Sequence, residues 1–206
     1  MIRRDLYNRI LSEVDDESLV MLLGLFARTV MLGNSESFPD ISEKILPIIQ
    51  RACKEERHLI VSACLETLAA VAIRTDENKR LTLTAVPDAI KWIQDCKAQS
   101  HSLVSCWKFL STVANLKEAK VCLSEVGVLQ LLVDELEPKK DRTDVLIGDP
   151  HIDNKARRRF AFSCMHSMCE MPESRLWLRQ RLTSLLEVGE DHGVESHAVS
   201  KLHWDP

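Results

Sequence analysis

The sequence predicts an all-α chain of about four stacked helical units, and three observations carry that prediction. Apolar residues recur at steps of three and four over four long stretches, two ladders of such residues share one spacing, and the composition is poor in what a sheet needs. Six glycines, one tyrosine and five phenylalanines leave sheet turns short of glycine and strands short of aromatics. At 206 residues the chain is expected to form one domain or one elongated array with a substantial core.

The best-defined unit is residues 103–136, LVSCWKFLSTVANLKEAKVCLSEVGVLQLLVDEL. There Leu103, Cys106, Trp107, Leu110, Val113 and Ala114 share one stripe, Glu125 to Gly127 interrupts, and Val128, Leu131, Leu132 and Leu136 open a second amphipathic helix. Neither stripe is covered by its own helix, so each needs a neighbour of the same kind. The chain supplies them: Phe26, Leu68 and Leu110 lie 42 residues apart, and so do Ile48, Ile90 and Leu132. The first two stripes are then Leu19, Leu22, Leu23, Phe26, Thr29, Val30 and Val61, Cys64, Leu65, Leu68, Val71, Ala72. A fourth stripe, Arg158, Ala161, Phe162, Met165, Met168 and Cys169, is centred 55 residues after Leu110, a stretch of 13. It belongs to the series because EAKVCL at 118–123 aligns with ESRLWL at 173–178 and loosely with ENKRLTL at 77–83.

The boundaries follow in order. GNSESFPD at 33–40 is turn material ending in Asp40, with Glu43 placed for a capping box, and Pro47 is expected early in the next helix, where a missing amide costs least. Asp88, after Pro87, opens the following unit. The extra residues fall in 137–154, polar and carrying two prolines, which reads as a surface loop. Lys155, Arg157, Arg158 and Arg159 then open the fourth long helix, at the dipole end that disfavours cations. Arg179 to Val188 reads as a last helix covering the stack, which makes 1–188 one domain and 189–206 a polar tail.

With about 42 residues per unit, a long helix, the corner LKEAK, a glycine in SEVGVLQLLVDEL and a hydrophobic second helix, the chain resembles the armadillo family, loosely including HEAT-type repeats. The resemblance spans about 15–188 and is specific over 103–136. It implies a right-handed armadillo-like superhelix of about four repeats whose longest helices line a concave groove for peptides or proteins. Importin-type members carry a tryptophan and an asparagine one helical turn apart along that groove. The matching positions here are Gly24 and Arg28, Glu66 and Ala70, Lys108 and Thr112, and Ser163 and Ser167. That ladder is absent and Trp107 falls on the buried stripe, so import-receptor function is not carried over.

The same register assigns a partner groove to Met21, Leu25, Arg28, Glu66, Ala70, Lys108, Phe109, Thr112, Arg159, Phe160, Ser163 and His166. Small residues there let a partner backbone approach, and Met21, Leu25, Phe109 and Phe160 are expected as exposed anchors. The function expected is a non-enzymatic scaffold that binds a helical or extended segment of a partner protein. Two alternatives stand beside it: nucleic-acid or phosphoinositide contact through a basic rim of Lys155, Arg157 and Arg158, and homotypic assembly.

A net charge of -4 gives no global attraction for nucleic acid or an anionic membrane, so such contacts would have to be local. Seven cysteines, an odd number without a CxxC pair, point to a reducing compartment, cytoplasmic or nuclear. The charged N-terminus is not a signal peptide, and no apolar run approaches the ~20 residues of a membrane span. On a helix Cys164 and Cys169 face apart, so no metal site is expected from them or from the tail histidines. Gly148-Asp149-Pro150-His151 resembles a self-cleavage tetrapeptide but lacks the β-rich, disulfide-bearing setting, and reads as a turn. No phosphate-binding loop, nucleophile elbow or zinc-protease motif occurs, and no cofactor is expected.

Overall fold

Four long helices carry the predicted stripes, and each packs on the next. The structure is a computed structural model that describes residues 9–10, 15–32, 41–95, 100–136 and 150–182, and the described residues form helices with no strand. In chain order these are α1 (Asp16–Leu32), α2 (Ile41–Lys54), α3 (His58–Ala72), α4 (Asp76–Thr82), a 3-10 turn (Leu83–Ala85), α5 (Val86–Asp95), α6 (Ser100–Val113), α7 (Lys117–Glu125), α8 (Val128–Leu136), α9 (Pro150–Met168) and α10 (Pro172–Arg179). One layer runs α1, α3, α6, α9, each helix against the one before it. The second layer lays α2 on α3, α5 on α6 and α8 on α9.

Hydrogen bonds between successive long helices fix their direction. Near the starts of α1 and α3, Arg57 Nη1 donates to Asp16 Oδ1 at 2.6 Å; near their ends, Arg74 Nε donates to the carbonyl of Val30 at 2.9 Å. Starts meet starts and ends meet ends, so α1 and α3 are parallel. The α3–α6 pair repeats this, with Ser102 Oγ donating to the His58 carbonyl at 3.3 Å and Ser105 Oγ to Glu66 Oε1 at 3.2 Å. At the far ends of α6 and α9, Ser167 Oγ donates to Asn115 Oδ1 at 2.8 Å.

The stripes form the core because a helix flanked on both sides must be apolar over most of its circumference. Phe26, Leu68, Leu110 and Met165 are all buried, as are Trp107, Phe162, Ile90 and Leu132; Thr29, Leu103, Arg158 and Ile48 are only partly covered. Each fully buried large side chain contributes about 1.5–3 kcal/mol, so this shared interior holds the layers together. Lys120 is also buried and is held by an ion pair to Glu170, which ties α7 to the end of α9.

Local signals set the ends. Asp15 caps α1 by accepting from the Ser18 amide at 2.9 Å, a bond that also holds its carboxyl below the usual carboxylate range. Thr75 caps α4 by accepting from the Asn78 amide at 3.0 Å. α2 ends in a Schellman pair, with the Arg57 amide donating to the Ala52 carbonyl at 2.8 Å and the Glu56 amide to Cys53 at 3.4 Å, which places Glu56 at a φ of 53°. Gly127 ends α7 at a φ of 90°, a conformation glycine adopts without cost.

Four boundary expectations are corrected. Pro47 lies well inside α2 and not at its start, leaving the Glu43 carbonyl without its helical donor. α9 begins at Pro150, so 150–154 is helix and not loop; a proline's fixed φ suits a first helical position. The basic run therefore starts beyond the first turn of α9, and the dipole penalty expected for it does not apply. The last described helix, α10, ends at Arg179, so Gln180 to Leu182 of the helix predicted over Arg179 to Val188 are not helical, and 183–188 lie outside the described residues. Asp40 of the expected capping box, the rest of the loop at 137–149 and the tail at 189–206 lie outside the described residues. No helix among the described residues is long and apolar enough to cross a membrane.

Candidate partner-binding cleft

Three clefts adjoin one another along the face shared by the long helices. The central one, about 560 Å³, lies between α1 and α3 and reaches Lys108 and Thr112 of α6. Its neighbour toward α9, about 320 Å³, shares Ile73 and Thr112 with it and adds Lys79, Asn115, Arg159, Phe160 and Ser163. At the starts of α1 and α3 a third, about 620 Å³, shares Val20 and Leu59 with the central cleft and adds Met21, Arg57 and His58. Shared walls make the three one trough.

Its lining is more apolar than its composition suggests. Thr67 Oγ1 donates to the Ala63 carbonyl at 2.7 Å, and Ser111 Oγ and Thr112 Oγ1 donate to that of Lys108 at 2.9 and 2.8 Å. Hydroxyls bonded back to their own helix are already satisfied, so covering them with a partner leaves no orphaned donor. Around them stand large apolar side chains that the fold leaves in water: Leu32 is 88% exposed, Leu59 67% and Ile73 57%. These side chains line one cleft, so the apolar surface they leave in water is gathered and not scattered.

Gly24 lies in the middle of α1 and lines the central cleft. A Cβ built there meets nothing within 4 Å. An exposed glycine in a helix interior costs about 0.5–1 kcal/mol relative to alanine, and no packing among the described residues accounts for this one.

The predicted groove residues divide clearly. Arg28, Glu66, Ala70, Lys108 and Thr112 line the central cleft; Thr112, Arg159, Phe160 and Ser163 line the one toward α9; Met21 lines the third. Leu25 is exposed and His166 half-buried, and neither lines any of these three clefts. Phe109 is corrected: it is 0% exposed and belongs to the core. α6 lies between α3 and α9 with α5 on top, and that threefold cover widens its buried stripe to take in Phe109.

The basic rim is corrected as well. Arg157 is buried, its Nε 2.7 Å from Oε1 of the equally buried Glu135 on α8. The N–H direction falls outside hydrogen-bonding geometry, so the short distance is an ion pair and not a linear hydrogen bond. Arg158 lies over the Phe162 ring at 5.7 Å and donates to the Leu136 carbonyl at 3.5 Å. Lys155 and Arg159 remain exposed.

Sequence reasoning missed Met31, Leu32, Leu59 and Ile73 as cleft residues. The signal was present, since all four are apolar residues off the buried stripes, but it lay outside the positions taken from the family register. Among the described residues, no group of three or more histidine, cysteine or acidic side chains is placed to hold a metal ion. Burial pushes the Cys164 thiol up to about 12 and raises that of Cys64 too, which keeps both protonated and inert at neutral pH. No protein-family model matches the chain, and no curated protein matches it.

Proposed function

We propose that this chain is a non-enzymatic, armadillo-like interaction module, a right-handed stack of about four helical repeats that takes up a segment of a partner protein in the trough across α1, α3, α6 and α9. The observation that carries the reading is the trough itself: adjoining clefts walled by exposed Leu59, Ile73, Met31 and Leu32 and floored by small residues. Such a surface suits the apolar face of a helix or an extended segment with alternate apolar side chains. Gly24 adds support, since the room it leaves serves a backbone that comes close. Buried thiols at Cys64, Cys106, Cys164 and Cys169 fit a cytoplasmic or nuclear setting.

Two alternatives have less behind them. The basic run gives two of its four cations to internal contacts, and nothing distinguishes an assembly face from the trough. The test is to select peptides from a random library on the full chain and measure binding by fluorescence anisotropy to the parent, Gly24→Phe and Gly24→Ala. A plugged cleft in Gly24→Phe should weaken binding at least tenfold while Gly24→Ala leaves it within threefold. Equal affinity for all three would place the binding surface elsewhere. Phe109→Ala is unsuitable, because it would disturb the core.

A further inference from the structure

Charge along the trough says what kind of segment fits it. The central cleft and its neighbour toward α9 present Arg28, Lys108, Lys79 and Arg159 against one acid, Glu66, while the third cleft, with Asp16 and Glu17 beside Arg57, carries no such excess, so the cationic part of the trough is these two clefts. The chain as a whole carries -4, so a local excess of cations runs against the background. Lys79 is partly neutralised by Asp76 at 2.8 Å, whereas Arg28, Lys108 and Arg159 make no ion pair among the described residues. Glu66 is itself engaged, its Oε1 accepting from Ser105.

Resting on the trough reading above, we propose that the occupant is an acidic segment of a partner protein, with Asp or Glu side chains interleaved with large apolar ones. Carboxylates would meet Arg28 and Lys108 in the central cleft and Arg159 beyond the Ile73–Thr112 wall, while leucine- or phenylalanine-sized side chains settle among Leu59, Ala70, Ile73 and Met31. A nucleic-acid strand fits less well. Its sugar–phosphate backbone would dehydrate apolar walls without filling them. Charge complementarity of this kind chiefly raises the association rate and selects the partner, while the apolar side chains supply the affinity.

The experiment is selection of 12-residue peptides from a random display library on the full chain. Binding of labelled winners is then followed by anisotropy in 50 and 500 mM NaCl. The expected result is enrichment of acidic residues among large apolar ones. Affinity should fall roughly tenfold in Lys108→Glu/Arg159→Glu and about threefold in the milder Lys108→Gln/Arg159→Gln. A several-fold loss at high salt and recovery of Lys108→Glu/Arg159→Glu binding by a charge-swapped peptide should accompany it. Thermal melts of both double variants close to the parent would show that binding, not folding, was changed.

Neutral or basic winners that Gly24→Phe still blocks would overturn the acidic assignment and leave the trough reading standing. Winners indifferent to Gly24→Phe, or no winners, would overturn both. A random-sequence single-stranded oligonucleotide that displaces the peptide with comparable affinity would overturn the assignment in favour of nucleic acid.

Discussion

The ion pair between Arg157 and Glu135 decides how much of the basic run is available at the surface, and its cost of removal can be worked out. The side chains are 8% and 7% exposed with Nε and Oε1 2.7 Å apart. At an effective dielectric of ~20 the gross attraction is roughly 6 kcal/mol, much of it offset by the water both groups give up. Removing one partner strands the other charge inside, so Glu135→Gln should destabilise the chain by about 3–5 kcal/mol. For a domain of this size that is a fall in Tm of roughly 6–20 °C. Arg157→Met with Glu135→Leu removes both charges and keeps the volume, so it should return to within about 1 kcal/mol of the parent or exceed it. Urea unfolding followed by circular dichroism measures the parent, Arg157→Met, Glu135→Leu and the double variant as the four corners of the cycle, with Glu135→Gln beside them, and the coupling should change little between 50 and 500 mM NaCl because a buried pair is poorly screened. A loss below about 0.5 kcal/mol in Glu135→Gln, with additive single effects, would refute the reasoning: Arg157 would then face solvent and the rim would be restored.

Gly24→Ala should raise stability by about 0.5–1 kcal/mol, seen as a Tm increase of ~1–4 °C, because alanine suits the helix and meets no neighbour there. Gly127→Ala should do the reverse, costing about 1–2 kcal/mol by urea unfolding, since its φ of 90° strains any side chain even with open space around it. Glu56→Gly should stabilise by up to ~1 kcal/mol in the same assay, as glycine relieves the left-handed end of α2. With iodoacetamide at pH 8, mass spectrometry should find Cys53 and Cys122 labelled well before Cys64 and Cys164, which stay protected until the chain unfolds. The lowered Asp15 carboxyl makes the capping of α1 fully effective above the unfolded carboxylate range, and it should be lost as pH falls through the lower folded value, with amide exchange at Ser18 reporting the loss.

Much of the interior was legible because burial writes a period into the sequence. Phe26, Leu68, Leu110 and Met165 sit on four consecutively packed helices, and the residues three and four away from them are mostly buried. What the period could not show was how wide each stripe becomes once helices close in from both sides. Phe109 disappeared into the core for that reason, and Arg157 followed because a partner, Glu135, waits on the adjoining helix. Surface charge carries no period, so its pairing is decided by neighbours distant in sequence. The start of α9 is hard to read because PHIDN has the polarity of a loop, yet its proline stands where a helix accepts one.

The trough residues show the opposite relation between local rule and global need. Leu32, Leu59 and Ile73 stay in water although each could be polar without harm to the core, and Gly24 weakens a helix that no neighbour among the described residues requires it to weaken. A sequence shaped only for folding would change all four, since local preference and overall stability agree on every substitution. They occur together, on one face, around clefts that share walls. Destabilising choices scattered at random would be tolerated drift; gathered in one place, they point to a second constraint acting there. The cations in the same trough extend the argument from shape to chemistry, because Arg28, Lys108 and Arg159 make no ion pair among the described residues, and an acidic neighbour of the kind proposed above would complete them.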